Sequence, residues 1–432
     1  MAISVHETAW TSDPSTPISP TEIAEPESTD VTRIGWHTLA SGPGPWLGLC
    51  QHVWITQSWF IAAAILYLLI GFALGAAYEQ SISLGMYNDA HLVLYGNFLL
   101  AAIVWRMARQ LYRHRPARPL RFVWADLTRE FVTPWRIFNA LPALILLPLV
   151  LSMVTSLKRI IPVIAPFSWD PALTEFDRLL HGGYQPWELL QPLLGYPLVT
   201  YIFSVAYALP ALTLVLMMQF WLTFSASPRR IRFLLTYLLC WTLLGTGLAI
   251  LFSSAGPVYY GRVAAGPDPF APLLAYLSDV GQAYELPSLI AQTYLWTSYE
   301  KDYLGFGNGI SAMPSLHLSM AFLLVLVCWR THWSIRLATI LFLAVLLAGS
   351  VHLAWHYAVD GYVGIAVTGL IYLAVNRALA RLEGRVQLVV PAHGGKYSAL
   401  LFKSWTGTKA SALTSAEEPQ LPIQQVRLDV GD

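Results

Sequence analysis

Apolar residues in this chain do not alternate with polar ones; they run in long blocks. A helix crossing a bilayer needs about 20 apolar residues in succession, because the hydrocarbon core holds no water to satisfy an open backbone. Blocks of this kind lie at 53–78, near 90–105 where a shorter one stops at Arg106, at 137–157, and at about 196–223, 233–253, 314–329, 337–353 and 358–376. The pattern predicts an all-α polytopic membrane bundle of about eight transmembrane helices.

The segments between the blocks fall into two kinds. Eight arginines, Arg106 to Arg136, separate the second and third blocks; Arg229, Arg230 and Arg232 separate the fourth and fifth; Arg330 and Arg336 the sixth and seventh; and Arg377, Arg381 and Arg385 follow the eighth. The alternate loops hold only Lys158, Arg159, Arg178, Arg262 and Lys301. Basic residues near span ends concentrate on the cytoplasmic side, so both termini are expected there. Two outer loops are long. In 158–195, Leu173, Phe176, Leu179 and Leu180 have helical spacing interrupted by Asp177 and Arg178, which predicts an amphipathic helix on the membrane surface. In 254–311, five prolines divide apolar stretches at 271–277 and 288–296 that are too short to span, and the segment is expected to cap an outward-facing site.

Residues 1–50 are rich in Pro, Ser, Thr and acidic groups, without a basic start and short apolar core, and are expected to form a disordered cytoplasmic tail rather than a signal peptide. The expected organisation is this tail, N-terminal transmembrane helices with the basic loop over 51–140, a catalytic membrane domain over 141–385 and a polar cytoplasmic tail over 386–432. No internal repeat is present.

Composition sharpens the class: 56% of residues are hydrophobic and 12% charged, about half the charged share of a soluble domain. The net charge of +1 excludes a global field that would recruit nucleic acid. Cys50, Cys240 and Cys328 are far apart, which indicates neither a disulfide framework nor a thiolate metal site.

Two polar clusters interrupt the apolar pattern, one from Gly305 to His317 and the other from Gly349 to Gly361. The topology puts both at the outer face. Pro314 suits the first turn of a helix, with Ser311 as its cap, so that free N–H groups and a positive dipole end would receive an anion such as phosphate. Ser315 adds a hydroxyl there, and His317, about one turn in, is placed to give a proton to a leaving oxygen. His356 and Asp360 are four residues apart, hence on one helix face; a carboxylate accepting one imidazole N–H makes the other ring nitrogen more basic.

Met313-Pro314-Ser315-Leu316-His317 followed by His356-Tyr357-Ala358-Val359-Asp360 resembles the second and third signature motifs of the type 2 phosphatidic acid phosphatase superfamily, in the form of its inositol phosphorylceramide synthase-like branch. The resemblance covers roughly residues 150–380. It implies that His356 attacks phosphorus to form a phosphohistidine, Asp360 orients it, His317 protonates the leaving group and Ser315 helps to hold phosphate, in a transfer of a phosphoinositol-like headgroup between membrane lipids. It implies no cofactor. The sequence departs from the phosphatase form: Ser350 stands where an arginine is usual, Leu316 replaces a glycine, and the lysine-to-Arg-Pro first motif is missing. Gly256 to Arg262 looks like its counterpart. With fewer cations the site suits a lipid phosphodiester better than a doubly charged monoester. Arg262 and Lys301 are the favoured phosphate ligands, with Tyr260 beside the headgroup.

Other readings remain open from sequence. A lipid phosphate or polyprenyl diphosphate phosphatase uses the same residues, and a transporter or scaffold can carry interfacial histidines, although no matched pair of broken helices supports it. His352 and His356 have zinc-compatible spacing without a third ligand, so no metal is expected. The glycines at 305, 307 and 309 follow no predicted strand and read as a turn.

Overall fold

The computed structural model describes residues 43–389 apart from 226 and 228; the expected tails therefore lie outside the described residues up to 42 and from 390. Among the described residues the chain is helical and has no strand. Helix α1 (Pro43–Ala77) already begins within the stretch expected to be a tail. It is followed by α2 (Asn88–His114), α3 (Pro119–Asp126), α4 (Pro134–Ile164), α5 (Asp170–Leu180), α6 (Pro186–Leu194) and α7 (Pro197–Thr223). Then come α8 (Arg229–Leu251), α9 (Tyr260–Val263), α10 (Ala271–Ala283), α11 (Pro287–Glu300), α12 (Leu316–Cys328), α13 (Trp333–His352) and α14 (Ala358–Val389). Proline opens many of them, where its missing N–H costs nothing.

Seven helices, α1, α2, α4, α7, α8, α13 and the apolar part of α14, are long and apolar enough to cross a membrane. The expected sixth span is shorter than predicted: α12 has 13 residues, or about 20 Å, against a hydrocarbon core of about 30 Å. It nevertheless connects the two ends of the bundle, because His317 lies at its start and Cys328 at its finish is within electrostatic reach of Arg229, the first residue of α8. Packed among α7, α8, α13 and α14, it has no need to reach lipid headgroups by itself. The chain is an integral multi-pass membrane protein.

Two apolar cores occupy different levels. One joins Phe60, Leu147, Met153, Phe233, Leu234, Leu238 and Leu323 across α1, α4, α8 and α12. The other surrounds the polar clusters, with Trp187, Phe270, Leu273, Leu277, Leu353 and Tyr357 from the short helices and the α13–α14 connection. At the arginine-rich end, Arg230 is buried and fully engaged: it donates to the Thr223 carbonyl, to Asn139 and to Gln57, fastening α1, α4, α7 and α8 at one level.

The outer segments fold as short helices. In α5 the apolar Phe176, Leu179 and Leu180 are exposed while Asp170, Leu173, Thr174 and Asp177 are buried. The helix is amphipathic as expected, but Asp170 and Asp177 face the protein, while its large apolar groups and the Glu175–Arg178 pair face outward. The 254–311 segment supplies α9, α10 and α11, which lie over the polar clusters.

Candidate active site

The two clusters meet through the backbone. The Ser315 N–H donates to the Asp360 carbonyl at 3.0 Å, so the first motif is pinned to the second before α12 begins. The helix cap is consequently Ser315 itself, whose hydroxyl accepts from the Leu318 N–H at 3.5 Å; Ser311 and Pro314 lie upstream of the helix, which corrects the expected capping. Ser315 is fully buried by this arrangement and takes no part in the cavity wall.

The turn into α14 is held as tightly. The Trp355 and His356 N–H groups both donate to the Ser350 carbonyl, at 2.9 and 3.1 Å. One oxygen of the buried Asp360 carboxylate accepts from the Tyr357 N–H at 3.1 Å and faces His356 Nδ1 at 3.3 Å. Asp177 reaches across from α5 to accept from the Ala358 and Val359 N–H groups, at 2.6 and 2.9 Å. Asp170 binds the Ser254 hydroxyl, the Ala255 and Gly256 N–H groups and the Tyr357 hydroxyl, all at 2.8 to 2.9 Å. Gly256 has φ +95°, and a Cβ there would meet the Trp355 carbonyl oxygen at 2.9 Å, so the loop can pass this close to the second motif only with glycine.

With their backbones joined, the rings of His317 and His356 lie edge to face with centroids 6.4 Å apart. Both line a cavity of about 410 Å³ that also contains Lys158, Tyr207, Ser311 and Trp355. A reacting atom about 3 to 3.5 Å from each of two groups fills a gap of this size. His317 is the exposed residue in an otherwise buried stretch. Its ring packs against Tyr207 at 4.7 Å between centroids, and Tyr207 in turn stacks on Trp355. The buried Tyr207 hydroxyl has no hydrogen-bond partner among the described residues. For His356, burial and then the positive charge of Lys158 push the imidazole down to about 4, although a hydrogen bond with the Ala312 backbone favours its charged form.

The expected phosphate ligands lie away from the cavity. Arg262 is turned to the surface, over the Trp296 ring at 4.7 Å and 3.8 Å from Glu300; Lys301 is exposed at the end of α11; Tyr260 packs on Phe270. None of the three lines the cavity. The cation that does is Lys158, and no carboxylate pairs with it among the described residues. It gets there because Gly309, at φ +96°, leaves no side chain: a Cβ would lie 2.3 Å from Lys158 Cβ. Lys158, Tyr207, Asp170 and Asp177 carried no motif. For Lys158 and Tyr207 the signal present in sequence was an ionisable or hydroxylated residue at the edge of, or inside, an apolar block; for Asp177 it was an acid interrupting the helical spacing of 173–180, and Asp170 left none.

His352 takes a different partner, the Thr200 hydroxyl at 2.9 Å from Nε2, and among the described residues no three His, Cys, Asp or Glu side chains converge as metal ligands do.

Comparison with known families finds one match, the PAP2 superfamily, over residues 171–374. This stretch is a PAP2 superfamily domain. The match contains His317, His356 and Asp360, together with Asp170's partners in 254–256, and ends within α14; Lys158 lies before it. A domain of this superfamily implies, in general terms, lipid phosphatase or phosphotransferase activity on lipid phosphates. Curated proteins and solved structures yield no match to the chain.

Proposed function

We propose that the protein transfers a phospho-headgroup, phosphoinositol-like by the resemblance of its motifs, from a phospholipid donor to a lipid alcohol through a phosphohistidine on His356. The observation that carries this reading is the sharing of one cavity by His317, His356 and Lys158, with the two rings 6.4 Å apart. Asp360 accepts a hydrogen bond from Nδ1–H, which leaves Nε2 as the attacking nitrogen. The N–P bond forms as the P–O bond to the donor lipid breaks, and His317 gives its proton to the departing oxygen. In the second half His317 removes the proton from the acceptor hydroxyl, whose oxygen takes the phosphoryl group as the N–P bond breaks. Lys158 stabilises the charge on the non-bridging oxygens. No cofactor enters either half.

A single cation in the cavity favours a phosphodiester, with one negative charge, over a monoester with two. The basic-residue distribution supports a site on the extracytoplasmic or luminal side. The second reading, a lipid phosphate or polyprenyl diphosphate phosphatase, uses water in place of the alcohol and is favoured only by the generality of the superfamily match.

Purified protein incubated with phosphatidylinositol plus ceramide or diacylglycerol, in parallel with phosphatidate and a polyprenyl diphosphate, separates the two. Headgroup transfer to the acceptor supports the first; release of inorganic phosphate alone supports the second. His356→Ala abolishes turnover on any of these substrates, and His317→Ala lowers kcat by about 10² to 10⁴ with a phosphoenzyme that can be trapped. Full activity of His356→Ala removes it from the nucleophile role.

A further inference from the structure

The cavity that holds the two histidines continues well below them. Along α7 its wall runs from Ser204 to Leu216, twelve residues, or about 18 Å of helix. Along α8 it runs from Gly245 back to Tyr237, toward the arginine-rich end. One leaflet is about half of a hydrocarbon core of about 30 Å, so the descent matches the depth of one leaflet. Lys158, His317 and His356 are the ionisable nitrogen groups of the lining, and all belong to its upper end. Below them the wall is Val215, Leu216, Leu316 and Met320, and the floor is aromatic, Tyr237 and Trp241 with ring centroids 6.1 Å apart.

The backbone of α8 is adapted to this void. Its Cys240–Leu248 segment is π-helical, a local widening found often at functional sites, and it contains both Trp241 and Gly245. At Gly245 an added Cβ would already press on Leu316 Cδ1 at 3.0 Å, so the missing side chain keeps the passage open. The floor is fixed by packing, since Tyr237 is fully buried and its ring lies 5.7 Å from that of Phe233.

We infer that the lower cavity binds one hydrocarbon chain of the lipid substrate inside the helix bundle, and that Tyr237 and Trp241 limit the chain length accepted. The inference rests on the reaction proposed above, because continuity with the phosphate-reactive end identifies the occupant as the substrate's own chain. Below Lys158 the lining has no charged side chain, and at the floor its polar atoms are the Tyr237 hydroxyl and the Trp241 indole N–H, each at the edge of an apolar ring; each methylene buried against this wall improves binding by about fourfold.

The test uses full-length protein and a series of single-chain n-alkyl phosphonates of six to eighteen carbons as binding probes (about the range that crosses one leaflet), with affinity measured directly. Affinity should rise by about fourfold per methylene and then reach a sharp break. Trp241→Ala should move the break to longer chains, and Val215→Trp should move it to shorter ones. A flat profile in the wild type, or a break that stays put in whichever of the two variants folds, overturns the inference. The reaction is scored separately through His356→Ala. If that variant is inactive and the chain-length break is absent, the chain site fails and the reaction stands; if it is active and the break is present, the reverse holds.

Discussion

Lys158 shares the cavity with both histidines, whereas Arg262 is engaged by Glu300 and Trp296 on the surface. If it neutralises the transferring phosphoryl group, Lys158→Met should lower kcat/KM by about 10² to 10³, the usual cost of removing one preorganised electrostatic partner. Arg262→Ala and Lys301→Ala should stay within a few-fold of wild type (~1 kcal/mol or less, as for exposed charges). Steady-state rates on the same substrate decide between these positions. A second consequence concerns pH. An imidazole attacks only when neutral, and burial followed by the Lys158 charge holds His356 down at about 4, below the usual value of about 6.5. The acid limb of kcat/KM should therefore lie below pH 5, with activity retained at pH 6 and lost as the pH falls through about 4. In Lys158→Met, which removes one of the two depressing influences, the limb should move upward. A limb near 6.5 in wild type contradicts attack by His356.

At the scale of elements, the start of α14 depends on a helix from another part of the chain. Asp177 of α5 takes the Ala358 and Val359 N–H groups, and His356 and Asp360 sit on either side of that cap. Asp177→Ala leaves two buried donors unpaired, and should cost about 1 to 2 kcal/mol of stability and lower kcat together with it. Asp177→Asn, which keeps an accepting oxygen, should recover part of both; thermal unfolding and turnover measured side by side check this. The case also marks how far sequence carries. The apolar blocks located the long helices within a few residues at most ends, and the paired motifs located His317, His356 and Asp360, because both signals are local. Asp177 looked like an interruption of an amphipathic stripe. In water that reading places the acid outward, but beside a bilayer the solvent-facing side of a surface helix is itself apolar, so Phe176, Leu179 and Leu180 face out and the acid turns in. The place of Lys158 beside the histidines was not legible either, because it depends on Gly309 packing against it from 151 residues away, a contact with no local trace.

For the whole molecule, the number of crossings decides which compartment the site faces. Seven long helices alone would place the two ends of the described chain on opposite sides; counting α12 as a crossing gives an even number, which its path from His317 to the neighbourhood of Arg229 favours despite its 13 residues. A short helix can do this because it is wrapped by α7, α8, α13 and α14, so protein rather than lipid surrounds its ends. On that count the arginine-bearing connections would share one face, and α9, α10, α11 and the histidine pair the other. Cysteine labelling tests the arrangement directly. Cys240 and Cys328 are buried, so a Cys50→Ser background leaves little reaction with a membrane-impermeant maleimide. On that background Lys301→Cys, at the exposed end of α11, should label in intact cells, and Arg113→Cys, exposed near the end of α2, only after permeabilisation. The reverse pattern would put the histidines on the cytoplasmic face, and with them the lipid leaflet from which the substrate is drawn.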